Sequence, residues 1–393
     1  MLTSLSLVFL LGMLLSRAFQ KIRLPGLLGM LVTGMILGPY ALNMLDGSIL
    51  GISADLRQIA LIIILTRAGL SLDIQDLKKV GRPAVLMCFL PACFEILGMV
   101  LLAPRLLGIS VLDAAIMGAV VGAVSPAVIV PKMLKLIEDG YGTDKGIPQL
   151  LLAGASVDDV FVIVMFTAFT GLAQGGSISP ISFVKIPVSI LIGSFIGLAA
   201  GWGLAVYFKR VHIRDTVKVI ILLCVSFILV TLEDRYSDIV PFSSLISVMG
   251  IGIALQKKRE EAARRLSVKF NKVWVCAEIM LFVLVGATVN IHYALSAGVW
   301  AVILIFGVLV FRMAGVFCCL AGTRLNMKER VFCMIGYMPK ATVQAAIGGV
   351  PLAMGLACGD IVLTVAVLAI LITAPLGAFL IDLTYKRFLH ERL

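Results

Sequence analysis

Apolar stretches of roughly 20 residues, each long enough to cross a bilayer as a helix, follow one another from the start of this chain to its end. About 13 can be drawn, near residues 2–17, 24–43, 57–72, 83–104, 113–131, 148–173, 181–207, 217–232, 239–256, 273–290, 296–321, 330–351 and 361–385. Lipid offers no partner to a backbone amide or carbonyl, so each stretch must satisfy its own groups as a helix. Of the 393 residues, 61% are hydrophobic and 14% charged, too little polar surface for a soluble protein of this length. The expected fold class is an all-α polytopic membrane protein, one domain over 1–393.

The formal net charge of +11 might point to nucleic acid, but the positions of the charges point to topology. With an odd number of spans, the tail Tyr385-Lys386-Arg387-Phe388 lies opposite the N-terminus. If the tail is cytoplasmic, only Arg57, Arg105, Lys185 and Arg235 fall on the far side, and only Arg67, Arg312 and Lys340 within spans. Every other Lys and Arg lies on the tail's side, which is the orientation signal of a membrane protein. The partners expected are therefore membrane lipids and not nucleic acid.

The first span carries its basic cluster, Arg17, Lys21 and Arg23, after the apolar run and not before it. It reads as a retained helix entering from outside, unlike a cleaved signal peptide. Trp202, Trp274 and Trp300 sit near span ends and read as interfacial anchors. The eight cysteines contain no CxxC pair and read as small buried hydrophobes. His212, His292 and His390 lie in loops, which leaves no histidine to relay protons inside the membrane. The polar stretch 256–272 reads as a short linker helix on an anionic surface; a plain positive anchor explains it equally well. The scarcity of chain outside the spans points to a bacterial inner membrane.

An internal echo runs through the chain. The fifth span carries Gly122-Ala123-Val124-Ser125-Pro126-Ala127 and then Pro131; the twelfth carries Pro339-Lys340-Ala341-Thr342, then Gly348-Gly349 and Pro351. Apolar segments interrupted by Gly and Pro at corresponding places in two oppositely oriented halves are the signature of inverted repeats. The repeats would cover 1–173 and 216–393, with 174–215 as the linker helix. Broken helices free carbonyls and helix ends toward an ion, so these two spans mark the expected site.

Glu95, Asp158, Asp159 and Glu278 fall inside spans, opposed by Arg67, Arg312 and Lys340. A charge at the bilayer centre costs on the order of 2.5–3.5 kcal/mol on insertion scales, so a function is the default reading. Asp158 and Asp159 are neighbours on one helix and point about 100° apart, into different surroundings. One can pair with a lysine, Lys340 by preference, while the other faces an ion cavity. A desolvated carboxylate beside another takes up either a proton or a small hard cation. That exclusion is antiport in its simplest form. Ser125 and the carbonyls of the broken fifth span would supply further oxygen ligands. Glu95 with Arg312 reads equally well as a structural ion pair, and Glu278 as structural or entrance-lining.

These residues give the chain a resemblance, over nearly its whole length, to sodium/proton antiporters of the cation:proton antiporter superfamily, in particular the NHA branch. The matching stretches are Arg67-Ala68-Gly69-Leu70, Gly122 to Val128, Lys145-Gly146-Ile147-Pro148, Asp158-Asp159, Val285-Gly286-Ala287, the run Pro339-Lys340-Ala341-Thr342-Val343-Gln344-Ala345-Ala346-Ile347-Gly348, and Leu371-Ile372-Thr373-Ala374-Pro375. The resemblance implies an NhaA-like fold, with a dimer domain and a core domain whose two crossed broken helices move as an elevator. It implies Asp159 as principal cation ligand and Asp158 paired with a basic residue. Lys340, Arg312, Glu95 and Thr342 would support them. NhaA-like electrogenic members carry lysine where this chain has Arg312, whereas electroneutral relatives carry arginine there with Asn-Asp in place of Asp-Asp. This chain combines the two patterns. No cofactor is expected; sodium or lithium and protons are cargo, and a homodimer is implied.

A potassium/proton antiporter or a sodium-coupled symporter on the same fold would use similar residues. An intramembrane aspartyl protease needs its two aspartates on different helices, which adjacent Asp158 and Asp159 do not offer. A sensor would need no acidic pair.

Overall fold

The computed structural model describes residues 1–22, 24–71, 81–174, 180–211, 213–236, 242–289 and 291–391, without the side chains of 156, 180–187, 234 and 291–297. Arg23, His212 and the side chains of Lys185 and His292 thus lie outside the described residues. The described chain is helical almost throughout. In order come α1 (Leu2–Lys21), α2 (Gly26–Leu37), α3 (Gly47–Gly51), α4 (Ser53–Ser71), α5 (Arg82–Met87) and α6 (Leu90–Leu107). Then follow α7 (Val111–Val121), α8 (Pro126–Glu138), α9 (Ile147–Gln174), α10 (Pro180–Arg210), α11 (Asp215–Tyr236) and α12 (Ser244–Lys258). The last are α13 (Glu260–Thr288), α14 (Ile291–Cys319), α15 (Met327–Gly336), α16 (Thr342–Gly348), α17 (Val350–Ala353) and α18 (Gly359–Phe388). Among the described residues, nine helices are long and apolar enough to cross a membrane, with α5–α6 and α7–α8 each counted as one.

Local chemistry sets many of the boundaries. Ser110 caps α7 by accepting the amide of Asp113 at 3.1 Å, and Ser243 caps α12 through the amide of Ile246. Gly108 ends α6 in the left-handed region (φ 67°), a conformation open to glycine at no steric cost. Asn326 and Glu329 form a reciprocal capping box at the start of α15. Glu329 is itself buried, and both of its carboxylate oxygens accept from Lys145 Nζ, at 2.7 and 2.9 Å.

The chain divides into two compact units. The first comprises 1–54, 74–162 and 281–393. In it α1 packs on α2, α6 runs along α14 and α7, and α18 lies against α7, α8, α15 and α16. Phe282, Phe332 and Ile370 are fully buried in this core. A β-carbon on Gly34 of α2 would collide with the backbone carbonyl of Val283, so glycine permits that close crossing.

The second unit comprises 55–73 and 163–280. Here α10 packs along α12, and Ser247 Oγ donates to the carbonyls of Gly193 and Ser243, each at 2.8 Å. Arg67 and Glu278 interact through their charges within this unit.

Three expectations change. The stretch 256–272 is not a separate surface helix: α13 begins at Glu260 and runs unbroken to Thr288, so most of the stretch is its first turns. Trp202 and Trp300 are exposed, but Trp274 is 5% exposed and packs inside the protein, not against lipid. Cys224, Cys276 and Cys318 are exposed thiols, whereas Cys88, Cys319, Cys333 and Cys358 are buried. Helix faces turned outward in a membrane protein meet lipid, which a thiol tolerates as well as a core.

Candidate functional site

Glu95, Ser125, Asp158, Asp159, Arg312, Lys340 and Thr342 all fall in the first unit. Two helix interruptions organise them. The chain leaves α7 at Val121 and re-enters helix at Pro126, whose ring suits a first helical turn. It leaves α15 at Gly336 and re-enters at Thr342. The interruptions touch: the amide of Ser125 donates to the carbonyl of Pro339 at 2.8 Å.

Each freed backbone group needs a partner in an apolar surround. Arg312 of α14 supplies several. Its Nε donates to the carbonyl of Tyr337 at 2.6 Å and its Nη1 to the carbonyl of Gly122. Gln344 of α16 supplies three more: Nε2 donates to the carbonyls of Ala123 (2.7 Å) and Val121 (3.2 Å), and Oε1 accepts the amide of Ala341 (2.8 Å). Thr373 Oγ1 accepts the amide of Lys340 at 2.9 Å.

The charges form one chain of contacts. Arg312 Nη1 lies 2.5 Å from Glu95 Oε2, and Arg312 Nη2 lies 3.1 Å from Asp158 Oδ2. Lys340 Nζ lies 2.5 Å from the same Glu95 oxygen. Asp158 Oδ2 also accepts the amide of Val124 at 2.8 Å. The guanidinium of Arg312 further stands 5.2 Å from the ring centroid of Tyr337, whose hydroxyl donates to the carbonyl of Met87. The expected pairing of Lys340 with Asp158 is therefore replaced. Lys340 pairs with Glu95, and Asp158 pairs with Arg312, because the forked guanidinium reaches both acids while the single ammonium is aimed at one. Glu95 and Arg312 are more than an isolated structural pair, since they join Lys340 to Asp158.

Asp159 stands outside this network. It is 7% exposed, and its Oδ1 has no hydrogen-bond partner among the described residues. The same holds for Asp158 Oδ1 and Ser125 Oγ, both fully buried. Buried oxygens left without partners are costly unless something else binds them. The arrangement can accept a proton or a small cation. Thr342 opens α16 and is buried, but its hydroxyl is not part of the bonded set. Of the carbonyls of the broken fifth span, expected as further ion ligands, those of Val121, Gly122 and Ala123 each accept a hydrogen bond from Gln344 or Arg312. Gln344 was the residue the sequence reading passed over as a site component. A lone amide side chain in an apolar broken helix needs partners, and that signal was available.

A family model described as "Sodium/hydrogen exchanger, transmembrane" matches residues 6–385. The chain is 34% identical to sodium/hydrogen exchanger 9B2 of Mus musculus over 94% of its own length and 69% of that protein's. It is 33% identical to sodium/hydrogen exchanger 9B1 of Mus musculus, over 86% of its length and 61% of that protein's. Among solved structures, the sodium proton antiporter MjNhaP1 of Methanocaldococcus jannaschii at pH 8 superposes with a TM-score of 0.84, covering 98% of both chains at 20% identity. That likeness concerns the fold.

Proposed function

The chain belongs to the sodium/hydrogen exchanger family, and from that premise we propose that it exchanges sodium or lithium for protons at Asp159, with Asp158 and Ser125 beside it. It is an integral, multi-pass transporter and not an enzyme.

One observation carries the assignment of the site. Glu95 and Asp158 are balanced by Arg312 and Lys340, so the four close their own charge account and leave Asp159 over. A buried carboxylate with no ion pair of its own needs a mobile counter-charge. A proton or a hard monovalent cation will serve, and each excludes the other. Asp158 Oδ1 and Ser125 Oγ, buried without partners, are the further oxygens within the same unit. The guanidinium of Arg312 does not release a proton, and the ammonium of Lys340 is engaged by Glu95. Of the carboxylates at this site, Asp159 is then the one left free to turn over, which favours one proton per sodium and electroneutral exchange.

The finer architecture belongs to the same proposal. The contact between Ser125 and Pro339 supports reading α7–α8 and α15–α16 as crossed broken helices of two inverted repeats, about 13 spans in all. The NHA branch fits the Asp158-Asp159 pair and the run from Pro339 to Gly348. Confinement of the site to one unit suits elevator movement of a body that carries its ion. A homodimer in a bacterial inner membrane, N-terminus outside and C-terminus cytoplasmic, completes the reading; monomers alone in native mass spectrometry would remove the dimer.

The test is proton movement in proteoliposomes carrying a pH dye, on adding sodium, lithium or potassium, with Asp159→Asn beside the wild type. A sodium or lithium signal lost in a folded Asp159→Asn supports the proposal. Signal retained in that variant, or a response to potassium alone, overturns it.

A further inference from the structure

A cavity of about 630 Å³ lies between the end of α8 and the last turns of α18. Its charged lining consists of Lys132, Lys135, Lys386 and Arg387 against Asp139 and Asp382. Lys132 pairs with Asp382 at 2.5 Å, which ties the two walls together. That pairing leaves three cations, Lys135, Lys386 and Arg387, facing the single acid Asp139, with no ion pair to any of the three among the described residues. Excess positive charge gathered in a cavity of ligand size attracts an anion with several oxygens.

The neighbouring surface narrows the choice. Phe379, Leu383 and Arg387 follow at intervals of four residues on α18 and so share one helix face. Phe379 is 62% exposed and Leu383, which also lines the cavity, 50% exposed. An outward apolar stripe that ends in a guanidinium at the mouth of a basic cavity matches an acyl chain that ends in a phosphate. Basic pockets between membrane helices on the cytoplasmic side commonly hold such head groups. We propose that this cavity binds a phosphate group, held by Lys135, Lys386 and Arg387. The apolar stripe favours an anionic phospholipid as its source over free inorganic phosphate. Because one wall is the continuation of the first interrupted helix, occupancy braces α8 against α18.

Thermal melting of the full-length chain in detergent tests this. Phosphatidylglycerol is expected to raise the melting temperature of the wild type by several degrees and phosphatidylcholine to leave it unchanged. The increment should vanish in Lys135→Gln/Lys386→Gln/Arg387→Gln and persist in Lys257→Gln/Lys258→Gln/Arg259→Gln, which removes the same three charges from another basic segment. A rise with inorganic phosphate at matched ionic strength, lost in the same triple variant, supports the site with the free anion as its source. Equal increments in the triple variant and the wild type, or none in the wild type with either compound, overturn it. If the triple variant does not fold, native mass spectrometry of Arg387→Gln alone decides. Fewer retained phosphatidylglycerol molecules than in the wild type support the site; equal numbers overturn it.

Discussion

The amide of Ser125 donates to the carbonyl of Pro339 at 2.8 Å, so the two helix interruptions are hydrogen-bonded to each other, backbone to backbone. The contact joins parts of the chain more than two hundred residues apart and sets the frame in which the buried charges meet. Gln344 holds the same frame by engaging Val121, Ala123 and Ala341.

Gln344→Ala strands two buried carbonyls and one amide. Each unsatisfied group costs about 1–3 kcal/mol, so a loss of roughly 3 kcal/mol or more is expected. Thermal melting in detergent measures it, and exchange in proteoliposomes should fall with it. A variant as stable and as active as the wild type would contradict the role assigned to this side chain.

Arg312 serves Tyr337, Gly122, Glu95 and Asp158 at once. A lysine there reaches fewer partners from a single nitrogen. Arg312→Lys is expected to retain little exchange, and Arg312→Ala to lose about 3–5 kcal/mol as a broken buried pair. Wild-type exchange in Arg312→Lys would show that charge alone suffices.

Glu95 accepts from both bases, whereas Lys340 contacts one acid. Glu95→Gln leaves two cations facing one anion and Lys340→Met leaves two anions facing one cation; Glu95→Gln breaks two ion pairs and Lys340→Met one, so the first should destabilise more. Adding Lys340→Met to Glu95→Gln is expected to restore on the order of 1 kcal/mol. A double-mutant cycle of melting temperatures measures this, and strictly additive losses would dissolve the proposed coupling.

Asp158→Asn keeps an acceptor for the amide of Val124 but removes the charge beside Arg312. The expected outcome is a reduced exchange rate. Solid-supported membrane recordings on the wild type should show no net charge movement during sodium-driven exchange. A clear current in the wild type would refute the one-for-one stoichiometry.

Much of this was legible in the sequence because lipid imposes so few solutions. Apolar length marks helices, Gly and Pro mark their breaks, and a charge in the wrong solvent announces itself. Asp158, Asp159, Arg312, Glu95 and Lys340 stand out that way. Their partners were not, since Lys340 and Glu95 lie 245 positions apart and no local pattern couples them. Trp274 failed for a related reason: a span end faces lipid or protein according to its neighbours, and the sequence order does not name them. The stretch 256–272 was misread because charged residues form a helix as readily as apolar ones when the following span extends it.

The occupation of Val121, Gly122 and Ala123 by side chains bears on which ions the protein tells apart. A potassium filter strips an ion by offering ring upon ring of carbonyls in place of its hydration shell. Here each of those carbonyls already commits a lone pair to Gln344 or Arg312, and the nearby side-chain oxygens without a partner are carboxylate and hydroxyl. With fewer free carbonyl lone pairs around it, an alkali ion reaching Asp159 would keep more of its own waters. Discrimination would then follow the strength with which a carboxylate attracts a partly hydrated ion, and lithium and sodium would be sorted by hydration enthalpy more than by fit to a cage.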